Sequence, residues 1–221
     1  MKQIWEMHLN DELAYWESMI AGTFHNKDWV AGFRRRTAGI DIAPYHLRKY
    51  LQRGRILDVG SGPATVLGGV LGGRRLDITA IDPLAEKYMD LYRKYGIEPL
   101  VQPVYGEAEN LSASCSGRFD FVYSHNSLDH SYDPIRAIQS MIDICAADGC
   151  VIFEDAINEG CKENYKGLHQ WNFMNASGDL VIWKQDGSAF LTTKELNRFK
   201  SLEISTVRTG WLMVKIEVLS S

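Results

Sequence analysis

No stretch of this sequence is long and apolar enough to cross a bilayer, which takes about 18 uncharged residues. Residues 1–10 carry Lys2, Glu6 and His8, where a secretory leader would need a basic head and an apolar run. Cysteine is sparse. Cys115, Cys145, Cys150 and Cys161 form no CxxC pair and have no histidine at zinc-ligand spacing, so buried reduced thiols are expected. Internal repeats and low-complexity tracts are missing. So is an excess of positive charge: 24 Lys and Arg against 28 Asp and Glu leave −4, without the electrostatic footprint of a nucleic-acid binder. These absences point to a cytoplasmic protein with neither a membrane nor a nucleic-acid partner; oligomeric state is not legible in them.

What is present suits one globular domain with a small addition. The 221 residues are 45% hydrophobic and 24% charged, and a chain of this length buries roughly 70% of its unfolded surface without a staple. Residues 1–52 read as a helical leader, with Leu13, Trp16 and Ile20, then Leu47, Tyr50 and Leu51, at three- and four-residue steps. From residue 53 to 221, short apolar runs alternate with amphipathic stretches. Strands are expected at 56–59, 78–82, 99–104, 119–123 and 150–154, and helices at 84–95 and 134–147. Pro134 suits a first helical turn and Gly149 a stop. Such alternation means an α/β fold, a parallel sheet with helices on both faces. Two antiparallel pairs should follow: 180–184 with 189–192 around Asp186-Gly187, and 202–207 with 211–218 around Thr209-Gly210.

Asp58-Val59-Gly60-Ser61-Gly62-Pro63-Ala64 follows the first strand directly. Glycine permits a sharp turn there and lets a ligand approach the main chain. Asp82 ends the next strand, where a carboxylate can accept from both hydroxyls of a ribose. Together they indicate an adenosine-containing ligand. A nicotinamide dinucleotide prefers Gly or Ala where Thr65 stands, and a P-loop needs a lysine that is missing between Gly60 and Gly73. Asp58, before the first glycine, suits an ammonium-bearing ligand better than a pyrophosphate, which favours S-adenosylmethionine.

In these blocks the chain resembles a class I S-adenosylmethionine-dependent methyltransferase of the small-molecule group. The resemblance runs from about residue 55 to 160. It is carried by Ile56-Leu57-Asp58-Val59-Gly60-Ser61-Gly62, Ala80-Ile81-Asp82-Pro83, Gly106-Glu107-Ala108-Glu109-Asn110-Leu111, and Phe119-Asp120-Phe121-Val122-Tyr123-Ser124-His125 with the Ser127-Leu128-Asp129-His130-Ser131-Tyr132-Asp133-Pro134 segment. It implies a Rossmann-like seven-stranded sheet with one reversed strand near the C-terminus. It also implies roles: Gly60, Ser61 and Gly62 against the methionyl part, Asp58 near its amino group, Asp82 at the ribose, and Pro83 or Leu84 against the adenine. Glu107 and Ala108 would border the base, with Ser124 and His125 beneath the sulfonium. S-adenosylhomocysteine would be the product. Ala64 departs from a third glycine, and Glu107 from a more usual aspartate, which puts a carboxylate contact to the adenine in doubt.

Methyl transfer needs in-line placement of a nucleophile at about 3 Å, and a base when a hydroxyl must lose its proton. His130, beyond the fourth strand, is a catalytic candidate, with a capping role as its bland alternative. Gly167-Leu168-His169-Gln170-Trp171-Asn172-Phe173 reads as a loop after the fifth strand; His169 is the preferred base, and Trp171, with Asn126, is expected to touch the acceptor, the alternative being a covering loop whose Trp171 and Phe173 fill the core. Glu154, Asp155, Asn158, Asp129 and Asp133 could in principle hold magnesium, but their spacing matches no metal pattern and no metal is expected. Arg34-Arg35-Arg36 is a solvated helix face by default, or Arg36 reaches the cofactor carboxylate while the leader closes as a lid. The reading is transfer to an oxygen, less readily a nitrogen, of a small polar metabolite such as a sugar, glycan precursor or secondary metabolite. A nicotinamide-nucleotide enzyme and a non-catalytic subunit serving a partner remain as alternatives. The Asn-Pro-Pro-Tyr signature of many base methyltransferases is replaced by Ser124-His125-Asn126-Ser127.

Overall fold

The computed structural model describes residues 2–52, 54–187 and 191–220. Five parallel strands are β1 (Arg55–Val59), β2 (Asp77–Asp82), β3 (Pro103–Tyr105), β4 (Phe119–His125) and β5 (Cys145–Ala156). A separate antiparallel sheet holds β6 (Asn172–Ala176), β7 (Asp179–Trp183) and β8 (Leu191–Thr192). The main sheet is completed by β9 (Phe199–Arg208) and β10 (Trp211–Val218), giving the order β9-β10-β5-β4-β1-β2-β3. β10 runs antiparallel to both neighbours, so it is the one reversed strand, as the resemblance implied.

Side-chain alternation explains the two-sided burial. Leu57, Val59, Val122, Val151 and Phe153 point to one core, which Ile138, Met141 and Ile142 of α5 (Pro134–Ile144) cover together with Phe173, Leu180 and Ile182 of the small sheet. Their neighbours Ile56, Phe121, Tyr123 and Ile152 point the other way, against Leu47, Leu51, Leu67 and Leu76. The leader forms α1 (Lys2–Ala21) and α2 (Lys27–Thr37), which pack Met19, Ile20, Val30 and Phe33 on Tyr88, Leu91 and Tyr92 of α3 (Ala85–Tyr95). Asn26 caps α2 by accepting from the Asp28 and Trp29 N–H groups, and Asp133 caps α5 through Arg136 N–H. The four-residue helices are α4 (Leu111–Ser114) and α6 (Glu159–Lys162).

Some boundaries differ from expectation. The third strand is Pro103–Tyr105 rather than 99–104: Leu100 and Val101 lie over Gly69, and Pro103, with no N–H to give, opens an edge strand. α5 stops at Ile144, not at 147. Cys145 is already extended, and the β4–β5 register jumps from Phe119↔Cys145 to Phe121↔Cys150, so Gly149 belongs to an irregularity in β5 and stops no helix. The 167–173 stretch is not all loop, because Asn172 and Phe173 enter β6, which pairs with β7 across Ser177-Gly178. β8 pairs Leu191 with Ile182 as expected, while Ala189 lies outside the described residues. All four cysteines are free, and Cys161 is exposed rather than buried.

Phe173 is fully buried and meets Phe153 edge-on, with centroids 6.1 Å apart. Phe173→Ala is therefore expected to cost about 3–5 kcal/mol in urea unfolding, as a lower midpoint at unchanged slope. A loss below about 1 kcal/mol would mean that the small sheet is not part of the core.

Candidate active site

The carboxyl ends of β1, β2 and β4 open into a cavity of about 690 Å³, where open parallel sheets place ligands. Its floor is the loop after β1. Gly60 and Gly62 both take positive φ, +68° and +62°. A Cβ on Gly60 would collide with Ser127, and one on Gly62 would lie 2.8 Å from the Trp16 ring, so glycine is required twice over. The Gly60 and Ser61 N–H groups donate to the Ile81 carbonyl at 2.8 and 3.1 Å. Asp82 holds the loop from the other side, accepting from Gly62 N–H and from Leu84 N–H, each at 2.9 Å.

Asp58 and Asp82 both line the cavity and are almost wholly buried. Burial pushes Asp82 up to about 6, against the pull of the Leu84 and Gly62 amides. It pushes Asp58 up to about 7, against Thr65 and the charge of Arg36. One oxygen of Asp58 has no hydrogen-bond partner. Arg36, from α2, also lines the cavity.

Pro83, Leu84, Glu107 and Ala108 continue the same wall. Glu107 is bound by three neighbours: Lys2 Nζ of α1 at 2.6 Å, Tyr132 OH at 2.8 Å and Tyr105 OH at 3.2 Å. Burial would raise its pKa, but Lys2 and Tyr132 outweigh burial and hold it below the ordinary value. Ser124 does not line the cavity. It is fully buried, its hydroxyl 2.7 Å from that of Ser127, and Ser127 takes its place on the wall.

At the other end lie His125, Asn126, His130 and His169. Asp129, behind them and 1% exposed, accepts from His169 Nδ1 at 2.8 Å; the same Nδ1 is 3.0 Å from His130 Nε2, which is 3.6 Å from the Asp129 oxygen. Burial works to lower the His169 pKa, and the Asp129 hydrogen bond and charge more than reverse it. His125 stacks on Trp211 at 5.2 Å between centroids, and the Arg208 guanidinium lies 3.8 Å from the Trp211 ring centroid.

Trp171, expected at the acceptor, is not on the cavity. It is buried in the core, where its indole N–H donates to the Ser131 carbonyl at 2.8 Å and its ring carries Lys184 at 4.2 Å. Trp211 and Arg208 line the cavity beside His125 instead. Topology held a signal for them: a reversed last strand must begin beside the ends of the parallel ones, and Trp211 does pair with Ala156. The five residues weighed for magnesium do not converge, because Glu154 bonds His46 at 2.6 Å and Asp133 caps α5.

Fold and site define an α/β protein whose large cavity opens at the carboxyl ends of β1, β2 and β4. The family model described as a methyltransferase domain matches residues 33–197. The chain belongs to that family, and its fold is that of a class I S-adenosylmethionine-dependent methyltransferase. Among curated proteins it is similar to the ubiquinone biosynthesis O-methyltransferases of Bordetella avium, 32% identical over 47% of this chain and 43% of that one, and of Alkalilimnicola ehrlichii, 27% identical over 64% and 62%. The chain thus spans less than two thirds of either relative. It shares its fold with the plantazolicin methyltransferase solved with S-adenosylhomocysteine, at 14% identity over 98% of this chain and 93% of that one, TM-score 0.55.

A buried Asp58 titrating near 7 gives a pH dependence of known sign. Below that value the group is neutral and offers an ammonium no charge; above it the carboxylate is present. S-adenosylhomocysteine is therefore expected to bind more tightly as pH rises from 6 to 8. Asp58→Asn should flatten that slope and weaken binding by about 10–100-fold. A slope unchanged in the variant, read by calorimetric titration, would remove Asp58 from the account.

Proposed function

We propose that this enzyme methylates an oxygen, and less readily a nitrogen, of a small polar metabolite such as a sugar, a glycan precursor or a secondary metabolite. The observation that carries the reading is that one cavity joins the Gly60–Asp82 floor to the His130–His169 cluster. The cofactor would lie with its methionyl part on Gly60, Ser61 and Gly62, its amino group at Asp58 and its carboxylate at Arg36. Asp82 would take the ribose, and Pro83, Leu84, Glu107 and Ala108 the adenine. The sulfonium would then point past His125 and Asn126 toward the acceptor. Residues 1–52 would act as the lid of this site, a role supported by the Lys2–Glu107 pair and by Trp16 seated over Gly62.

In the reaction the acceptor oxygen attacks the methyl carbon in line, the C–S bond breaks with its electron pair going to sulfur, and S-adenosylhomocysteine results. The acceptor's hydroxyl proton would pass to a ring nitrogen of His169 or His130, both of which line the cavity. Oxygen as the acceptor atom draws loose support from the O-methyltransferase names of the curated relatives. Trp211, Arg208 and Asn126 offer a flat apolar face beside donors, the mixture that orients a small polar ring. No helix among the described residues is long and apolar enough to cross a membrane. That and the −4 charge support a cytoplasmic enzyme of small molecules rather than of nucleic acid.

The test is methyl transfer from labelled S-adenosylmethionine to a panel of sugars, phenols and hydroxy acids. His169→Ala is expected to lower turnover of a positive acceptor by about 10²–10⁴ while S-adenosylhomocysteine affinity stays within about twofold. Full turnover in the variant would take His169 off the catalytic list.

A further inference from the structure

We propose that Asp129, His130 and His169 bind a divalent first-row transition cation of the Zn²⁺ or Co²⁺ kind, whose free positions face the acceptor end of the cavity. The three ligand atoms, Asp129 Oδ2, His130 Nε2 and His169 Nδ1, form a triangle with edges of 2.8, 3.0 and 3.6 Å. A cation bonded at about 2.0–2.1 Å needs ligand edges of about 2.9 Å in an octahedral site and about 3.4 Å in a tetrahedral one. The triangle spans that range.

Hydrogen bonding alone serves these three atoms poorly. A proton on His169 Nδ1 that points to Asp129 leaves the His130 nitrogen facing the same N–H from the side. A proton on His130 Nε2 that points to His169 leaves the His169 lone pair 2.8 Å from a carboxylate oxygen. A cation at the centre satisfies all three lone pairs at once.

The second observation is independent of the triangle. Asp129 is 1% exposed, and its other oxygen, Oδ1, has no hydrogen-bond partner. Asp155, also fully buried, has only the weak pull of the Leu128 and Ser127 backbone N–H groups, no hydrogen bond of good geometry, and repels Asp129. Neither carboxylate makes an ion pair with a lysine or arginine among the described residues, so positive charge is owed to this spot. Two imidazoles and one carboxylate are the donor set of zinc, cobalt, iron or manganese, not of magnesium or calcium, which prefer oxygen throughout. His130 and His169 line the cavity and Asp129 closes it from behind, so the remaining coordination positions open toward the acceptor.

The acceptor's part of this inference rests on the methyl-transfer reading; the cation's part does not. A hydroxyl coordinated there would have a lowered pKa and would release its proton to water before attacking the methyl carbon. The cluster would then activate the acceptor through the cation, with His130 and His169 as its ligands.

The experiment is equilibrium binding of Co²⁺ to the untagged, chelator-stripped full chain, followed by visible ligand-field absorption and metal content. The expected result is a single bound cobalt per chain, displaced by Zn²⁺. Asp129→Asn and His169→Gln should each weaken binding by about 100-fold or more, and His8→Ala, a surface histidine of α1, should leave it unchanged. Circular dichroism of each variant and the third ligand substitution, His130→Gln, keep the test valid if one substitution unfolds the chain. Absence of cobalt binding in folded wild type, or binding indifferent to all three substitutions, would overturn the proposal. S-adenosylhomocysteine titrated in parallel separates the failures: its binding without cobalt sinks only the cation site, whereas its own absence sinks the methyl-transfer reading.

Discussion

The Asp82 carboxylate is the constraint on which the site depends. It accepts the N–H of Gly62 with one oxygen and that of Leu84 with the other, so one side chain at the end of β2 fixes both the loop after β1 and the start of α3. The Ile81 carbonyl beside it takes the Gly60 and Ser61 amides. Four main-chain donors are thereby committed before any ligand arrives, and the floor of the cavity is set by the Asp82 carboxylate and the Ile81 carbonyl together. Trp16 of the leader can then rest on Gly62 because no side chain stands there.

A second regularity is that the buried acids around the cavity outnumber their bases. Asp58, Asp82, Asp129 and Asp155 are buried at the ends of β1, β2, β4 and β5, and no lysine or arginine among the described residues forms a salt bridge with any of them. Burial raises Asp58, Asp82 and Asp155; Asp129 is instead held below its ordinary value because its two histidines outweigh burial. Such an arrangement is costly in an empty protein and is relieved by positive ligands. An ammonium at Asp58, a sulfonium between the two ends and a cation at Asp129 would each meet that demand. The exposed acids are different: Glu17 pairs with Lys94 and Glu217 with Lys215, and these pairs contribute little.

Much of this was legible in the residues, and what was not has physical causes. Continuous apolar runs such as Ile56-Leu57-Asp58-Val59 located the parallel strands, since both faces of such a strand are buried. The Gly60-Ser61-Gly62 turn and Asp82 located the floor of the cavity, because local chain geometry dictates them. The histidine end of the cavity depends on contacts across the chain. His169 meets Asp129 from 40 residues away, and nothing in either segment announces the other. Trp171 misled for a related reason: an aromatic in a polar segment reads as a pocket wall, yet Ser131 offered its indole a carbonyl inside the core. β6 was missed because Ser177-Gly178 is a tight turn and Phe173 is its only fully buried aromatic anchor.

The central claim is that the cavity between β1 and β4 is built for the sulfur cofactor. Calorimetric titration of the intact chain with S-adenosylmethionine, S-adenosylhomocysteine and NAD in parallel tests it most directly. The account predicts one-to-one binding of both sulfur compounds, with Kd of about micromolar, and no heat from NAD. Binding of NAD alone, or of none of the three by folded protein, would contradict it.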